Sequence, residues 1–464
     1  MFLFKQARRL LAMGWVALRI FAGYWTLRWR RRWLHQTISH ERWSKQHGFT
    51  AHLLFQTAVR RQGLLIKLGQ LIGARPDIFP PEYVAELSLL HDRVPPRPYS
   101  QIALLLQREL GRPPEAVFAE FDRVPMAAAS LAQVHRARLQ AEPGGTGDEV
   151  AIKVQYPDIV EIVRADLWGL GIIKRAIQRL LPALNVAEII DDLRASIPQE
   201  LDFIHEGQNA EQVARNFAGN SSVVIPRIYW DLTTRRVLVM EFIHGIKITE
   251  TAELQAAGID LRQLCTLFLG TYFEQIMVQG FFNADPHPGN LLVLPDGPRI
   301  ALLDFGLVKR MDPAFRIASA RLCRAIISFD AEATRRAYHE MGVYTREDDL
   351  ASYQLLGMLF LGLPEHIKGQ KSLFDPRSWQ QSGIDLRGRF HADPITHLPS
   401  DLLVMSRAIT LMGGVMFTLD MWYDMWTMIM GFCDRVLAEP AALPRPPHLV
   451  GEGRGEGAAT EAAD

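Results

Sequence analysis

The sequence predicts an α+β protein with two lobes, a small β-rich lobe followed by a larger helical one. Short apolar segments recur between residues 117 and 240, which is typical of strands. From Asp260 onward helical patterns dominate, interrupted by two predicted strands at residues 291–294 and 299–303. A chain of 464 residues with 48% hydrophobic content is long enough to bury a core in each lobe.

The first 60 residues are predicted to form a basic, Trp-rich helical arm. Residues 1–76 contain fourteen Lys and Arg against one acid, Glu41, and five of the ten Trp lie in the first 43 residues. Such an arm on an otherwise acidic chain suggests a negatively charged partner, either nucleic acid or anionic lipid. The tryptophans favour lipid and argue against nucleic acid, because the indole ring prefers the membrane interface.

Arg19 interrupts the apolar run between Arg9 and Arg28. An arginine at mid-membrane costs ~2.5–3.5 kcal/mol, so a simple membrane span is disfavoured. Two alternatives remain. The arm is an interfacial or tilted helix whose Arg19 reaches the headgroups, or it is an amphipathic helix docked on the body of the protein. The first alternative predicts a cytoplasmic protein held peripherally at the inner membrane.

Four further segments follow the arm. Residues 61–110 are predicted to be a helical extension and residues 111–245 the smaller lobe, with a helical insertion at about 157–184. Residues 246–438 are predicted to form the larger lobe and residues 439–464 a disordered tail rich in Pro, Gly, Ala and Glu. The three cysteines lie far apart with no CxxC pair, which indicates a reducing compartment and argues against a zinc site.

Residues 283–290 and the triplet 304–306 carry the strongest chemical signal. Asp285 and Asn290 are five positions apart, and Asp304 follows Asp285 by 19 residues. Phosphoryl transfer of the protein-kinase type needs one carboxylate at the nucleophile, and an amide and a second carboxylate on Mg²⁺. The spacing therefore predicts that Asp285 faces the nucleophile, that Asn290 and Asp304 bind Mg²⁺, and that the cofactor is ATP or ADP.

Lys153 ends a predicted strand, residues 150–153, and is expected to hold the phosphates of the nucleotide. Its predicted partner is Glu200 on the long helix that follows. Glu206 lies six positions further, more than one helical turn away, and is not expected to serve in the same way.

Two backbone segments are predicted to contact the nucleotide. The first, Ala127, Ala128, Ala129 and Ser130, lies where a kinase has its glycine-rich flap, and three alanines predict a stiffer loop. The second follows a strand at residues 237–240, where the backbone of Glu241 and Phe242 is expected to bind the adenine edge. An Ala-Pro-Glu sequence is absent after residue 306, which counts against a peptide substrate.

Together these residues resemble the UbiB family of atypical protein-kinase-like proteins. Residues 67–70 resemble its Lys-x-Gly-Gln signature, residues 87–96 the segment after it, residues 127–130 its alanine-rich loop and residues 200–202 its Glu-x-Asp motif. The resemblance implies a bilobal protein-kinase-like fold in which Lys67 and Gln70 face the nucleotide pocket near Glu200 or Glu206. It also implies ATP hydrolysis with an unorthodox nucleotide preference, and a role in ubiquinone biosynthesis or lipid homeostasis beside quinone-biosynthesis proteins.

The chain departs from that family at Asn283, where members commonly have His. We expect Asn283 to hold the catalytic loop by hydrogen bonding. Residues 404–430 are apolar but interrupted by Arg407, Asp420 and Asp424, which favours core packing over a membrane anchor.

Three hypotheses about function follow from these motifs. The first is a kinase-like ATPase at a membrane surface, the second a non-catalytic, nucleotide-switched lipid-binding or scaffold protein. The third is a small-molecule kinase, which would share Asp285 and Asn290 but would not need the signature at residues 67–70.

Overall fold

The computed structural model describes residues 2–73, 79–91, 94–141, 147–180, 194, 197–361, 392–419 and 425–438. The predicted tail at 439–464 and most of the predicted turn at 143–148 lie outside these residues. Helices at the N-terminus precede a small lobe built on one five-stranded sheet, and a larger helical lobe follows. The predicted α+β class with two lobes is confirmed.

The N-terminal part is helical. It contains α1 (Phe2–Trp33), α2 (His40–Arg61), α3 (Leu64–Gly73) and α4 (Pro81–Leu87), which a 3₁₀ turn, Ser88–His91, extends. Helix α3 lies close to that turn because glycine occupies the contact. A Cβ atom on Gly73 would lie 2.6 Å from the backbone nitrogen of Ser88, and one on Gly69 2.3 Å from Leu90 Cδ1.

Arg9 fastens α1 to the body of the protein. Its guanidinium lies 2.6 Å from the Asp166 carboxylate and donates to the carbonyl oxygens of Arg61 and Gln62, where α2 ends. Gln62 and Gly63 have positive φ, so Arg9 holds the sharp turn that leads into α3. This face of α1 is therefore docked on the body of the protein.

The opposite face of α1 is exposed to solvent and strongly apolar. Its exposed large side chains recur at helical spacing, and they are Leu11, Trp15, Leu18, Phe21, Trp25, Trp29 and Trp33. We call these seven residues the α1 stripe. Arg19 stacks on Trp15 at 4.9 Å and on Phe49 of α2 at 5.2 Å. Membrane association of this face stays a prediction.

The small lobe is an antiparallel sheet in the order β1-β3-β4-β6, with β2 paired to β3. Its strands are β1 (Phe118–Phe121), β2 (Ala127–Ala128), β3 (Ala132–Leu139), β4 (Glu149–Gln155) and β6 (Val237–Glu241). One face packs on α5 (Tyr99–Leu110), which α6 (Pro114–Val117) joins to β1. The helical insertion is α7 (Ile159–Leu180), and the lobe's other long helix is α8 (Phe203–Asn216).

Helix α8 begins later than the sequence analysis placed it. Asp202 is the N-cap and accepts a hydrogen bond from the Ile204 backbone nitrogen at 3.1 Å, as short acidic side chains do at helix starts. Glu200 therefore precedes α8, in a separate helical stretch over residues 197–200. Glu206 lies one turn inside α8, where it is buried.

The larger lobe is mostly helical. Its helices are α9 (Thr251–Ala256), α10 (Leu261–Phe273), a π-helix (Glu274–Gln279), α11 (Pro313–Ile327), α12 (Ala331–Glu340), α13 (Leu350–Leu361), α14 (Ser400–Thr418) and α15 (Met425–Ala438). A four-stranded sheet in the order β5-β10-β9-β7 faces the small lobe. Its strands are β5 (Val223–Val224), β7 (Ile246–Lys247), β9 (Leu291–Leu294) and β10 (Arg299–Leu302). Two further pairs join β8 (Phe281–Asn283) to β11 (Val308–Arg310) and β12 (Tyr344–Thr345) to β13 (Ile395–His397).

Among the described helices only α14 is long and apolar enough to cross a membrane, and 44% of its apolar window is buried in the protein. Met405, Met412 and Met416 belong to the core of the larger lobe. The core packing predicted for the apolar C-terminal segment is thus confirmed for α14. The three cysteines are free and buried.

Candidate active site

A cleft of ≈ 1750 Å³ separates the two lobes. The small lobe contributes β2, β3, β4 and the end of β6, and the larger lobe contributes the loop after β8 and the triplet after β10. Helix α3 and helix α14 also line this cleft, through Lys67 and Gln70 on the first and Arg407 on the second. Pockets at lobe interfaces are where ligands usually bind.

Lys153 lines the cleft and contacts two carboxylates. Its Nζ is 2.6 Å from Glu206 Oε1 and 3.1 Å from Asp304 Oδ2. The prediction that Glu200 pairs with Lys153 is wrong, because α8 starts at Phe203 and presents Glu206 to the strand that carries Lys153. The sequence signal that could have found this is Asp202, a typical N-cap residue.

Burial sets the electrostatics of this cluster. Desolvation raises the pKa of Glu206 to about 7, and Asp304 adds to the rise while Lys153 opposes it. Burial lowers the pKa of Lys153, but Asp304 and Glu206 outweigh burial, so that pKa is raised. For Asp304, burial raises the pKa, and Lys153 with the Gly306 N–H outweighs it, so the pKa is lowered. Lys153 and Asp304 are thus both charged at neutral pH.

Asn283 joins the two acidic segments of the site. Its Nδ2 donates to the Asp304 carbonyl oxygen at 2.8 Å, and its Oδ1 accepts from the Asp285 N–H at 2.8 Å. Asn283 itself is buried, and its own N–H donates to Gln275 Oε1. The expectation that Asn283 holds the catalytic loop by hydrogen bonding is confirmed.

The side chains of Asp285, Asn290 and Asp304 all line the cleft. The turn Pro288–Asn290 brings Asn290 back towards Asp304, and the Asn290 carbonyl oxygen accepts from the Leu303 N–H at 3.1 Å. The Asp304 side chain is 37% exposed, and the exposed part faces the cleft.

The side-chain oxygens of Asn290 and Asp304 fit a Mg²⁺ ion whose other ligands come mainly from a nucleotide. Within the described residues no three His, Cys, Asp or Glu side chains form a metal-binding group. Mg²⁺ prefers oxygen ligands and is commonly held by one or two side chains, with phosphates and water completing its shell. One carboxylate and one amide oxygen satisfy that requirement only with a nucleotide present.

The alanine-rich loop is held by hydrogen bonds at its tip. The Ala129 N–H donates to the Ala132 carbonyl oxygen at 2.8 Å, and Tyr156 Oη donates to the Ala129 carbonyl oxygen at 2.9 Å. Ser130 is buried, and positive φ occurs at none of residues 127–130. The Ala129 N–H is therefore not free to bind phosphate, and the stiffness expected from the three alanines stays a prediction.

In the segment that joins the lobes, the backbone donors differ from the prediction. The Glu241 N–H donates to Arg227 and the Phe242 N–H to Glu149, at 2.8 and 3.0 Å. These two donors are occupied, so only the carbonyl oxygens can serve as predicted. Ile243 also lines the cleft, and within the described part of the chain its N–H makes no hydrogen bond. The Ile243 N–H is thus an available donor that the sequence did not indicate.

Lys67 and Gln70 have different environments on α3. Lys67 Nζ lies 2.9 Å from Glu200 Oε1, and Gln70 Nε2 donates to the Leu90 carbonyl oxygen at 3.0 Å. Burial lowers the pKa of Lys67, but Glu200 and Asp285 outweigh it and the pKa is raised. Both residues line the cleft as the resemblance implied, and Lys67 takes the glutamate that had been assigned to Lys153.

Arg407 is a cleft residue that the sequence analysis did not assign. Its Nη2 lies 3.3 Å from Asp285 Oδ2, and its side chain is 27% exposed. The available signal was a single arginine inside an otherwise apolar helix, since such a charge needs a partner.

The chain is similar to known proteins along most of its length. Residues 89–338 match the ABC1 atypical kinase-like domain. The chain is 36% identical to AarF domain-containing protein kinase 1 of Xenopus tropicalis over 303 residues, 64% of this chain and 57% of that protein. It is 33% identical to the uncharacterized protein sll1770 of Synechocystis over 423 residues, 86% of this chain and 69% of that protein.

A further relative is the chloroplastic protein named ACTIVITY OF BC1 COMPLEX KINASE 8 of Arabidopsis thaliana, 37% identical over 67% of this chain and 41% of that protein. The matched region is about half of the length of several of these relatives. A Mycobacterium tuberculosis protein solved in complex with erythromycin has the same fold. It superposes with a TM-score of 0.56 at 24% identity, over 84% of this chain and 99% of that one.

Proposed function

The chain belongs to the UbiB family of atypical kinase-like proteins, and from this premise we propose that it binds Mg-ATP in the cleft and transfers the terminal phosphoryl group to water or to a small acceptor. The observation that carries the proposal is the convergence of Lys153, Glu206, Asp285, Asn290 and Asp304 on one cleft. These are the residue types that phosphoryl transfer requires, and each has a different task.

Each residue has a role in the proposed reaction. Lys153, oriented by Glu206, binds the phosphates that stay with the nucleoside. Asn290 and Asp304 hold Mg²⁺, which neutralises the phosphate charge when it is bound. Asp285 accepts the proton of the attacking hydroxyl. Asn283 fixes the positions of Asp285 and Asp304 relative to each other, because it makes hydrogen bonds to the backbone of both.

The size of the acceptor follows from what surrounds the cleft. Helix α14 lines it beside Asp285, through Arg407, and the β13 segment and α3 also line it. These elements support a small acceptor over a peptide substrate. We therefore propose water or a small hydroxyl compound as the acceptor.

Phosphate release from ATP tests this proposal. The full chain is assayed with Mg²⁺, with and without a phenolic acceptor, beside Asp304→Asn and a surface control, Asp296→Asn. We expect turnover in the wild type and the control, and loss of it in Asp304→Asn. Nucleotide binding without turnover under any condition would favour the non-catalytic switch instead.

The proposed site of action is an anionic membrane surface, and the α1 stripe supports this. One face of α1 docks on the body, so the helix cannot cross a bilayer while it stays docked. The other face presents the tryptophans of the stripe next to Arg28, Arg30, Arg31 and Arg32. Aromatic side chains with flanking cations suit a helix that lies in the interface plane.

Vesicle flotation tests the membrane proposal. Replacement of Trp15, Trp25, Trp29 and Trp33 by Ser should reduce binding to vesicles that contain anionic lipid. The matched control is Trp168→Ser, since Trp168 is also exposed but lies on α7. Equal flotation of the fourfold variant and the wild type would contradict the membrane proposal.

The biological role we propose is support of isoprenoid-quinone synthesis or lipid homeostasis. It rests on the family and on the name of one relative, which links that relative to the BC1 complex. Quinone content of cells in which this chain carries Asp304→Asn is the direct test, and unchanged content would contradict it.

A further inference from the structure

Helix α14 lies outside the ABC1 domain match, which ends at residue 338, yet it forms part of the cleft. Ser400, Leu403, Val404, Arg407 and Leu411 fall on one face of this helix and line the cleft together. Lys309 of β11 fixes the start of the helix by an ion pair with Asp401 at 2.7 Å. The helix is therefore anchored both by its core methionines and by a contact beside the cleft.

The ion pairs of the cleft differ in length. Lys153 is held by Glu206 at 2.6 Å and by Asp304 at 3.1 Å, and Lys67 is held by Glu200 at 2.9 Å. Arg407 pairs with Asp285 at 3.3 Å, and among the described residues it makes no other ion pair. This contact is longer than those of Lys153 and Lys67.

Arg407 also has a donor without an acceptor. Its Nε is buried and has no hydrogen-bond partner among the described residues. A guanidinium has five N–H donors in a planar fork, and a buried donor without an acceptor is unfavourable. The buried Nε is closed to the cleft, whereas the side chain as a whole is 27% exposed, so a ligand oxygen would meet this fork at its Nη atoms. Phosphate oxygens are the ligands that such a fork fits best.

We infer that Arg407 is a catalytic residue that binds the terminal phosphoryl group of ATP from the side of Asp285. The inference rests on the proposed phosphoryl transfer and names a residue for it that lies outside the kinase-like domain. In this structure Arg407 pairs with Asp285. With ATP bound, its Nη donors bind oxygens of the terminal phosphate.

The transfer step balances with these residues. The acceptor hydroxyl oxygen forms a bond to the terminal phosphorus while the bond from that phosphorus to the bridging oxygen breaks. The hydroxyl proton passes to Asp285, and the bridging oxygen keeps the electron pair and leaves with ADP. Charge gathers on the oxygens of the phosphoryl group in transfer, where the Arg407 guanidinium stabilises it.

The test compares ATP with ADP, because only ATP has the phosphate that Arg407 would bind. Dissociation constants of the non-hydrolysable imido analogue of ATP and of ADP are measured with Mg²⁺ for the full chain, for Arg407→Gln and for Arg407→Lys. The control is Arg435→Gln, since Arg435 pairs with Glu274 at 2.6 Å and lies outside the cleft. Circular dichroism melts confirm that each variant folds.

We expect Arg407→Gln to bind the ATP analogue about tenfold more weakly and ADP about as well as the wild type does, since one charge-assisted pair of bonds is lost. Its kcat for ATP should fall roughly 10²- to 10³-fold, as when an arginine that contacts the transferred group is removed. Arg407→Lys should keep the ATP preference and recover only part of the rate, because an ammonium lacks the fork. If Arg407→Gln does not fold, this Lys variant carries the test through its rate.

Equal weakening of both nucleotides by Arg407→Gln, or an undiminished kcat in Arg407→Lys, would overturn the assignment of Arg407. Neither result concerns turnover by the wild type, so the proposed function would stand. Failure of the wild type to bind either nucleotide would overturn both. Arg435→Gln should match the wild type, and a selective loss for ATP in that control would also count against Arg407.

Discussion

The Nζ of Lys153 lies 2.6 Å from Oε1 of Glu206, while Glu200 pairs with Lys67 at 2.9 Å. The cleft thus contains two separate lysine–glutamate pairs. One joins the sheet of the small lobe to α8, and the other joins α3 to the segment before α8. A change in either glutamate should therefore have its own effect.

Above pH 7, where Glu206 is ionised, Glu206→Gln should lower kcat/KM for ATP by roughly 10- to 100-fold, because Lys153 loses the charge that orients it towards phosphate. Glu200→Gln should stay within about threefold of the wild type, because it leaves the Lys153 contacts intact. Steady-state hydrolysis of ATP measures both. A loss in Glu200→Gln as large as that in Glu206→Gln would contradict the separation of the two pairs.

The raised pKa of Glu206 predicts a pH-dependent stability. The folded protein keeps this proton up to about pH 7, whereas the usual pKa is 4.5, so the folded state binds more protons between these values. The free energy of unfolding should therefore decrease as pH rises through this window, by at most about 1.4 kcal/mol per pH unit from this group.

Glu206→Gln removes that contribution. Urea unfolding of the variant and the wild type at pH 5, 6, 7 and 8 should show the variant gaining relative stability up to about pH 7 and levelling off above it. A difference that stays constant across this range would show that Glu206 ionises at its ordinary pKa.

Asn283→Ala should lower kcat by about tenfold or more and leave nucleotide affinity nearly unchanged, because small misplacements of reacting groups are costly. Both of its side-chain bonds position Asp285 and Asp304, and neither involves Lys153. The exposed Asn220→Ala is the control. A variant that loses affinity but not kcat would mean that Asn283 supports the nucleotide and not the catalytic carboxylates.

Arg9→Met should destabilise the fold by about 3–5 kcal/mol, because it leaves a buried carboxylate without its partner. The side chains of Arg9 and Asp166 are 10% and 1% exposed, and burial raises the pKa of Asp166. The exposed pair of Lys45 and Glu41, each 75% exposed, supplies the control Lys45→Ala, expected to cost under about 1 kcal/mol.

A double variant separates charge from packing at this position. Arg9→Met with Asp166→Leu should recover much of the loss, since replacement of a buried pair by apolar side chains is often neutral. Denaturant unfolding measures the stability of the wild type, Arg9→Met, the double variant and Lys45→Ala. No recovery in the double variant would mean that the Arg9 bonds to the carbonyl oxygens where α2 ends carry the stability.

Local patterns predicted most of the fold and the centre of the site. The strands at residues 150–153 and 291–294 follow from short apolar runs, and Asp285, Asn290 and Asp304 converge because their spacing fits one loop and one hairpin. The role of Asn283 was also predictable, since its position within the motif defines which backbone groups it can reach.

Contacts between distant segments were not predictable in the same way. Lys153 and Glu206 depend on where α8 begins, which the Asp202 cap decides. Arg407 meets Asp285 only because α14 packs against the cleft, and Arg9 meets Asp166 across 157 positions of sequence. Such pairs depend on tertiary packing, which a pattern of neighbouring residues does not encode.

The walls of the cleft come from positions as far apart as Lys67 and Leu411. During synthesis the small lobe can therefore form before α14 has left the ribosome, while the wall beside Asp285 and part of the core of the larger lobe are still missing. Closing contacts of such high sequence separation is slow, and apolar surface stays exposed until they form. The nascent protein should accordingly pass through a stage in which the small lobe is folded but the acceptor side of the cleft is open, and chaperones would meet the chain at that stage.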